Sequence, residues 1–302
     1  IPVGRSCQII EDLSGHRVSQ AMVIESSRLC VEKILPFQQA VKERLKSGDV
    51  VHFDESGLRV CNKLHQLHVA GTPEMTYYTV DQKRGAEAME AMDILPGFTG
   101  TAVHDHWKPY FQYDHCKHEL CNAHHLRELN FIHDRYGQDW APQMSCLLVE
   151  IHHQVRQAKL QNQQHLDPAV LSVYESRYDA IIKAGLEINP PAQRRPGQRG
   201  RVKQPPARNL LERLRIFKDQ TLGFMYDFKV PFDNNQAERD VRMIKVKQKV
   251  SGCFRTFEGA EIFCAIRSYI STSCKNGINV IDAIQNAFQG KPFIPYCFST
   301  PE

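Results

Sequence analysis

The 302-residue chain carries 38 Lys and Arg against 34 Asp and Glu, for a formal charge of +4, and 42% of its residues are hydrophobic. That is ample core material and more length than one ordinary domain needs, so two domains, or one large domain with an insertion, are expected. No apolar run reaches the roughly 18 residues of a membrane-spanning helix. The opening Ile-Pro-Val-Gly-Arg lacks the layout of a secretory signal. Ten scattered cysteines then fit reduced thiols in a cytosol better than a disulfide framework. Ile1 stands where an initiator Met would, so the chain reads as a piece of a longer protein.

Residues 7–48 read as helical. Gln8–Leu13 and Val18–Cys30 flank the break Ser14-Gly15-His16-Arg17, a candidate helix-turn-helix with Ser19 capping the second helix. A helix over Leu35–Lys46 follows. The texture then changes to short apolar runs, Val50–Asp54, Leu58–Val69 and Met75–Val80, with turns at Gly57 and Gly71-Thr-Pro, predicting an antiparallel meander. A helix over Ala86–Ile94, a strand over Gly100–Asp105 and a short strand over Glu119–Ala123 complete an α/β fold with a mixed sheet. From His124 to Ala184 the pattern is helical, with Leu147, Leu148, Ile151, Val155 and Leu160 on one face. Ile188–Pro206 is a Pro/Gly/Arg-rich loop, and helices are expected over Leu210–Met225, from Asn235 through Lys249, over Gly259–Lys275 and over Val280–Phe288.

Charge is unevenly placed. From Pro191 to Arg255 sixteen cations oppose six acids, giving +10 and leaving −6 for the remainder. A basic segment in a near-neutral chain is the electrostatic footprint of a nucleic-acid binder. Its centre is the helix beginning Asn-Asn-Gln-Ala-Glu-Arg at residue 234. Ala237, Val241 and Ile244 form its buried stripe, and beside them Glu238 heads a ridge of Arg242, Lys245 and Lys249. Arg239 and Arg242 read as phosphate contacts or as partners of acids on the sheet.

Two acids sit where strands end, Asp54 in HFDESG and Asp105 in AVHDHW. A carboxylate there points into the crevice where α/β sheets bind ligands. Glu238 offers a third carboxylate from a helix, and three oxygen donors suit Mg²⁺ or Mn²⁺, in a two-ion arrangement for phosphodiester cleavage. Strand-end acids are also ordinary turn residues. Glu55 points to the opposite side of its strand and is not counted as a ligand. Trp107 and Tyr110 read as core fillers or as platforms for an unpaired base. The group His115, Cys116, His118, Cys121, His124 and His125 holds some zinc-like spacings but no paired Cys-x-x-Cys, so zinc, phosphate contact and buried polar packing all stay open.

Taken in order, HFDESG, HDHWKPYF, CNAHHLREL and NNQAERDVR, with the following KQKVSGCFRTFEGAEIFCAIRSYISTSCKNG, resemble the transposases of the insertion-sequence-66 family over about residues 7–290. The resemblance implies a ribonuclease-H-like core carrying a DDE triad, which falls by position on Asp54, Asp105 and Glu238. The first two acids are 51 residues apart and the last two 133, so a helical insertion before the last catalytic helix is expected. The implied division is 1–47, an N-terminal helical segment; 48–129, the first part of the core; 130–225, the insertion with its basic loop; 226–290, the closing helices; and 291–302, a tail. The resemblance also implies an N-terminal zinc-finger or DNA-binding region ahead of the core, and this chain is expected to begin after where that region would lie.

The implied activity is metal-dependent cleavage of DNA at element ends followed by transfer of the freed 3′-OH to target DNA, by a homo-oligomer associated with the nucleoid. Arg239, Arg242, Lys245, Lys249, Arg194, Arg195, Arg199 and Arg201 are the expected DNA contacts, with His124 and Arg127 from the Cys-x-Ala-His-x-x-Arg pattern. The rival readings are a non-catalytic DNA-binding remnant and a ribonuclease-H-like nuclease without strand transfer.

Overall fold

A computed structural model describes residues 2–194, 199–200 and 202–295. In chain order these form α1 (Val3–Ser14), α2 (Gln20–Lys33), α3 (Leu35–Lys46), β1 (Val50–Val60), β2 (Lys63–Gly71), β3 (Thr76–Asp81), α4 (Ala86–Met92), β4 (Thr101–His104) and β5 (Lys117–Leu120). There follow α5 (Asn122–Tyr136), α6 (Trp140–Leu160), α7 (Pro168–Ile188), α8 (Pro206–Ile216), α9 (Lys218–Tyr226), α10 (Asn235–Ser251), α11 (Phe257–Lys275) and α12 (Val280–Phe288). The chain divides into two compact units, residues 1–117 with 235–302, and residues 118–234. No helix among the described residues is long and apolar enough to cross a membrane.

The sheet order is β3-β2-β1-β4-β5. β1, β2 and β3 form the expected meander, and β1 pairs in parallel with β4 from Val50↔Thr101 to His52↔Val103. The first turn is not at Gly57. β1 runs on through it to Val60, and Val60 pairs with Lys63 across a two-residue loop, Cys61-Asn62. Both loop residues have positive φ (48° and 62°), the backbone of a tight hairpin turn whose twist matches the flanking strands. The expected Leu58–Val69 strand is therefore two half-strands facing each other.

Strand alternation separates two cores. Leu58, Val60, Leu67, Val69, Tyr78 and Val80 point to one face and pack against Ala237, Val241 and Ile244 of α10 and Ala260 and Cys264 of α11. Val51, Phe53, Ala70 and Tyr77 point to the other and pack against Phe37, Val41 and Leu45 of α3, with Met89, Phe98 and Tyr110. β3 is an edge strand, whose outward amides need partners. α11 supplies them: Ser268 Oγ accepts from Tyr78 N–H at 2.9 Å and Thr272 Oγ1 from Thr76 N–H at 3.0 Å, one helical turn apart.

At the N-terminus Ser19 caps α2, accepting from Met22 N–H at 3.1 Å as expected. α1 buries none of its residues.

The second unit is built on α5 to α9 around Trp140, Met144, Leu147, Leu148, Ile151 and Tyr178, with Leu211 and Phe224. Leu160 does not belong to that face; it is 75% exposed at the last turn of α6. The expected helix over Leu210–Met225 is broken at Phe217, whose ψ of 38° departs from helical geometry and separates α8 from α9. The fifth strand ends at Leu120 rather than Ala123, because Asn122 and Ala123 already belong to α5.

Candidate active site

Asp54 lies within β1 opposite Val69 of β2, on the face covered by α10. The N–H of Glu55 donates to Asp54 Oδ1 at 2.9 Å. Burial pushes the Asp54 carboxyl up to about 7, the charge of Glu55 adds to this, and those of Asp105 and Glu238 push further the same way against the opposing amide hydrogen bond. Both other candidate acids therefore act on Asp54, although they are 51 and 184 residues away in the chain.

Asp105 stands one residue past β4, where the strand breaks into a short 3-10 turn over Lys108–Gln112. Its Oδ1 accepts from Trp107 N–H at 2.8 Å, an Asx-turn that fixes the carboxylate against its own backbone. Among the described residues Oδ2 of neither Asp54 nor Asp105 accepts a hydrogen bond. Glu238 is in the first turn of α10, half-buried beside the fully buried Ala237, at the helix end where the dipole favours a carboxylate.

The predicted ridge on α10 is largely exposed. Arg242, Lys245 and Lys249 face solvent, Lys245 Nζ donating to Gly57 O of β1 at 3.2 Å. Arg239 is also exposed and donates to Gln236 one turn back rather than to an acid of the sheet. Lys247 differs: its Nζ lies 3.3 Å from the centroid of the Phe254 ring and donates to Gly252 O, and burial lowers its pKa.

His124 and Arg127 are in the second unit, on the first turns of α5, Arg127 exposed with its Nε donating to Ala123 O. Arg194 and Arg199 are exposed in the connection after α7, where Arg194 donates to Gly200 O at 3.0 Å. Arg195 and Arg201 lie outside the described residues. The His/Cys group is divided. His115 bonds Leu95 O, Cys116 is buried and donates to Tyr113 O, and both belong to the first unit. In the second unit, Cys121 Sγ accepts from Asn234 N–H and His125 Nδ1 meets Asn122 Oδ1 at 3.0 Å.

The roles of three residues escape the sequence reading. Asp240 falls on the apolar stripe of α10, three after Ala237, and is buried against Lys275. Glu55 is turned away from Asp54 as expected, but its side chain is only 4% exposed and takes Arg84 and Tyr110 as partners. Burial raises its pKa against the effect of those two partners. Arg84 carries no sequence signal at all.

The family model described as "Transposase IS66 family" matches residues 1–262. A search of curated proteins finds no match.

Proposed function

The chain belongs to the IS66 transposase family, and we propose that its first unit is a DDE catalytic centre that cleaves DNA at element ends and transfers the freed 3′-OH to a target. The observation that carries this reading is geometric: Asp54 and Asp105 each stand two residues past the last pair of the β1–β4 ladder, and α10, which bears Glu238, packs on the face of β1 that carries Asp54. Three acids from a mid-sheet strand, a strand end and a helix start have no structural reason to share one field. Like charges brought together and partly dried fit a hard cation better than they fit one another.

The strand order supports a ribonuclease-H-like reading of the α/β fold. β1 is flanked by an antiparallel hairpin on one side and a parallel strand on the other, and carries one acid beside another that follows β4. In this reading the core is assembled from residues 48–129 and 226–290, with the helical block 130–225 inserted.

Asp54, Asp105 and Glu238 would hold Mg²⁺ or Mn²⁺, in a pair. When bound, such ions activate water and neutralise charge on the leaving oxygen. The protein's own part is orientation. Backbone amides of Glu55 and Trp107 hold one oxygen of each aspartate, so both carboxylates are aimed before substrate arrives. Arg239, Arg242, Lys245 and Lys249 on α10 would grip the phosphate backbone, and His124, Arg127, Arg194 and Arg199 are the proposed contacts on the second unit. Element ends are paired in transposition, so a homo-oligomer on DNA is part of the reading.

The test is cleavage of a duplex bearing an element end in Mg²⁺, followed by strand transfer with pre-nicked ends. Cleavage and transfer that both disappear in Asp54→Ala support the proposal. Cleavage without transfer would make the protein a nuclease, and binding without cleavage a DNA-binding remnant.

A further inference from the structure

The β1–β4 ladder stops before it reaches the acids: its last pair is His52↔Val103, two residues short of both Asp54 and Asp105. Sheet pairing therefore does not fix the distance between the two carboxylates. On the far face of the sheet, a second set of contacts begins where the ladder ends. Glu55 Oε1 takes Arg84 Nη2 at 2.8 Å, and Oε2 accepts from Tyr110 OH at 2.9 Å. The Arg84 guanidinium lies over the Trp107 ring, 4.4 Å from its centroid. Trp107 supplies the amide that holds Asp105, and Tyr110 stacks on His104, the last residue of β4, at 4.3 Å and 20°.

We infer that Glu55, Arg84 and Tyr110 form a strap behind the sheet that sets the spacing of Asp54 and Asp105, making them positioning residues for the metal-binding carboxylates. The inference rests on the triad reading above. Its physical basis is that each end of the strap is one or two residues from an acid. Glu55 follows Asp54 and gives it a backbone hydrogen bond, and Trp107 does the same for Asp105 from two residues on. A carboxylate only 4% exposed must keep both partners to offset its desolvation, so the strap has one stable geometry. The aspartates inherit that geometry without being touched by it directly. Groups that orient metal ligands from behind commonly alter metal affinity by about 10- to 100-fold when removed.

The test is Mn²⁺ binding to the full chain without DNA, followed by the paramagnetic signal of free Mn²⁺, for wild type, Asp54→Ala, Glu55→Gln, Arg84→Ala, Arg84→Lys and Tyr110→Phe. Arg84 is half-exposed (52%), so its variants keep the test open if Glu55→Gln does not fold. Expected is loss of binding in Asp54→Ala and a Kd raised by about 10-fold or more in Glu55→Gln and Arg84→Ala. Arg84→Lys should restore part of the affinity, since it keeps the charge and loses the flat stack. DNA affinity should stay at the wild-type level in all of them. A lowered Tm with wild-type Mn²⁺ affinity in Arg84→Ala and Tyr110→Phe would make the strap merely structural and overturn the inference, leaving the triad intact. Mn²⁺ binding that survives Asp54→Ala unchanged would overturn the triad reading, and the strap with it.

Discussion

Lys275 Nζ, near the end of α11, donates to Asp240 Oδ2 on α10 at 2.9 Å, two residues beyond Glu238. The same carboxylate oxygen accepts from Thr76 Oγ1 at 3.2 Å and Gln236 Nε2 at 3.1 Å. Lys275 reaches the carbonyls of Thr72 and Met75 as well. One largely buried pair thus joins α10 and α11 to the turn between β2 and β3. Gly71 makes room for it, since a Cβ there would lie 2.9 Å from Asp240 Oδ2.

Removing one member of this pair leaves a buried charge without its partner. Asp240→Ala should lower stability by about 3–5 kcal/mol, and Lys275→Met by a similar amount. The double variant Asp240→Leu/Lys275→Met should lose less than the sum of the single changes, because neither charge remains. Urea denaturation of the four proteins measures this coupling.

Stability should respond to pH through Asp54. Its carboxyl titrates at about 7 in the fold against 3.8 as an ordinary carboxyl. Between those values the folded protein holds a proton that the unfolded chain has released, so raising the pH favours unfolding. Metal-free wild type should therefore lose stability relative to Asp54→Asn as pH rises from about 4 to about 7, and the gap should level off above that. Thermal melts across this range test it. Added Mg²⁺ should stabilise wild type most at the alkaline end, where Asp54 is ionised, and should not stabilise the variant.

The ridge on α10 makes a salt-dependent prediction. Arg242→Ala, Lys245→Ala and Lys249→Ala should each weaken DNA binding across sequences and reduce the log–log salt slope by about 0.9 per lost phosphate contact. Lys247→Ala should leave that slope unchanged and lower Tm, because its amine is spent on Phe254 and Gly252. Binding isotherms at several salt concentrations separate the two groups.

Gly100 sits where β4 must approach the start of β1. A Cβ on it would lie 2.3 Å from Gly48 O and 2.7 Å from Asp49 O, both backbone atoms that side-chain adjustment cannot clear. Gly100→Ala should cost about 1–3 kcal/mol through forced displacement of β4. It should also weaken Mn²⁺ binding, since Asp105 follows that strand. Unchanged Mn²⁺ affinity in a destabilised variant would contradict the second half of this prediction.

Much of the fold is legible in the chain because its periods are strong. α3 and α12 begin and end where the sequence places them, and the stripe of Ala237, Val241 and Ile244 is buried as its spacing requires. The Cys61-Asn62 turn is hidden because it carries neither Gly nor Pro, while nearby Gly57 is a false marker inside β1. Asp240 lies on the apolar stripe, yet its charge invites a solvent-facing reading; only Lys275, 35 residues on, explains its burial. The apolar runs ending in Asp54 and Asp105 make two acids visible. Alternation also puts Glu55 on the far face, but the partners it finds there, Arg84 and Tyr110, depend on how distant segments pack.

The measurement closest to the central claim is Mg²⁺-dependent nicking of an element-end duplex by wild type, Asp54→Ala, Asp105→Ala and Glu238→Ala, with DNA affinity recorded for each. The account predicts that each substitution abolishes nicking while DNA binding stays near wild type. Undiminished nicking by any one of the three would contradict it.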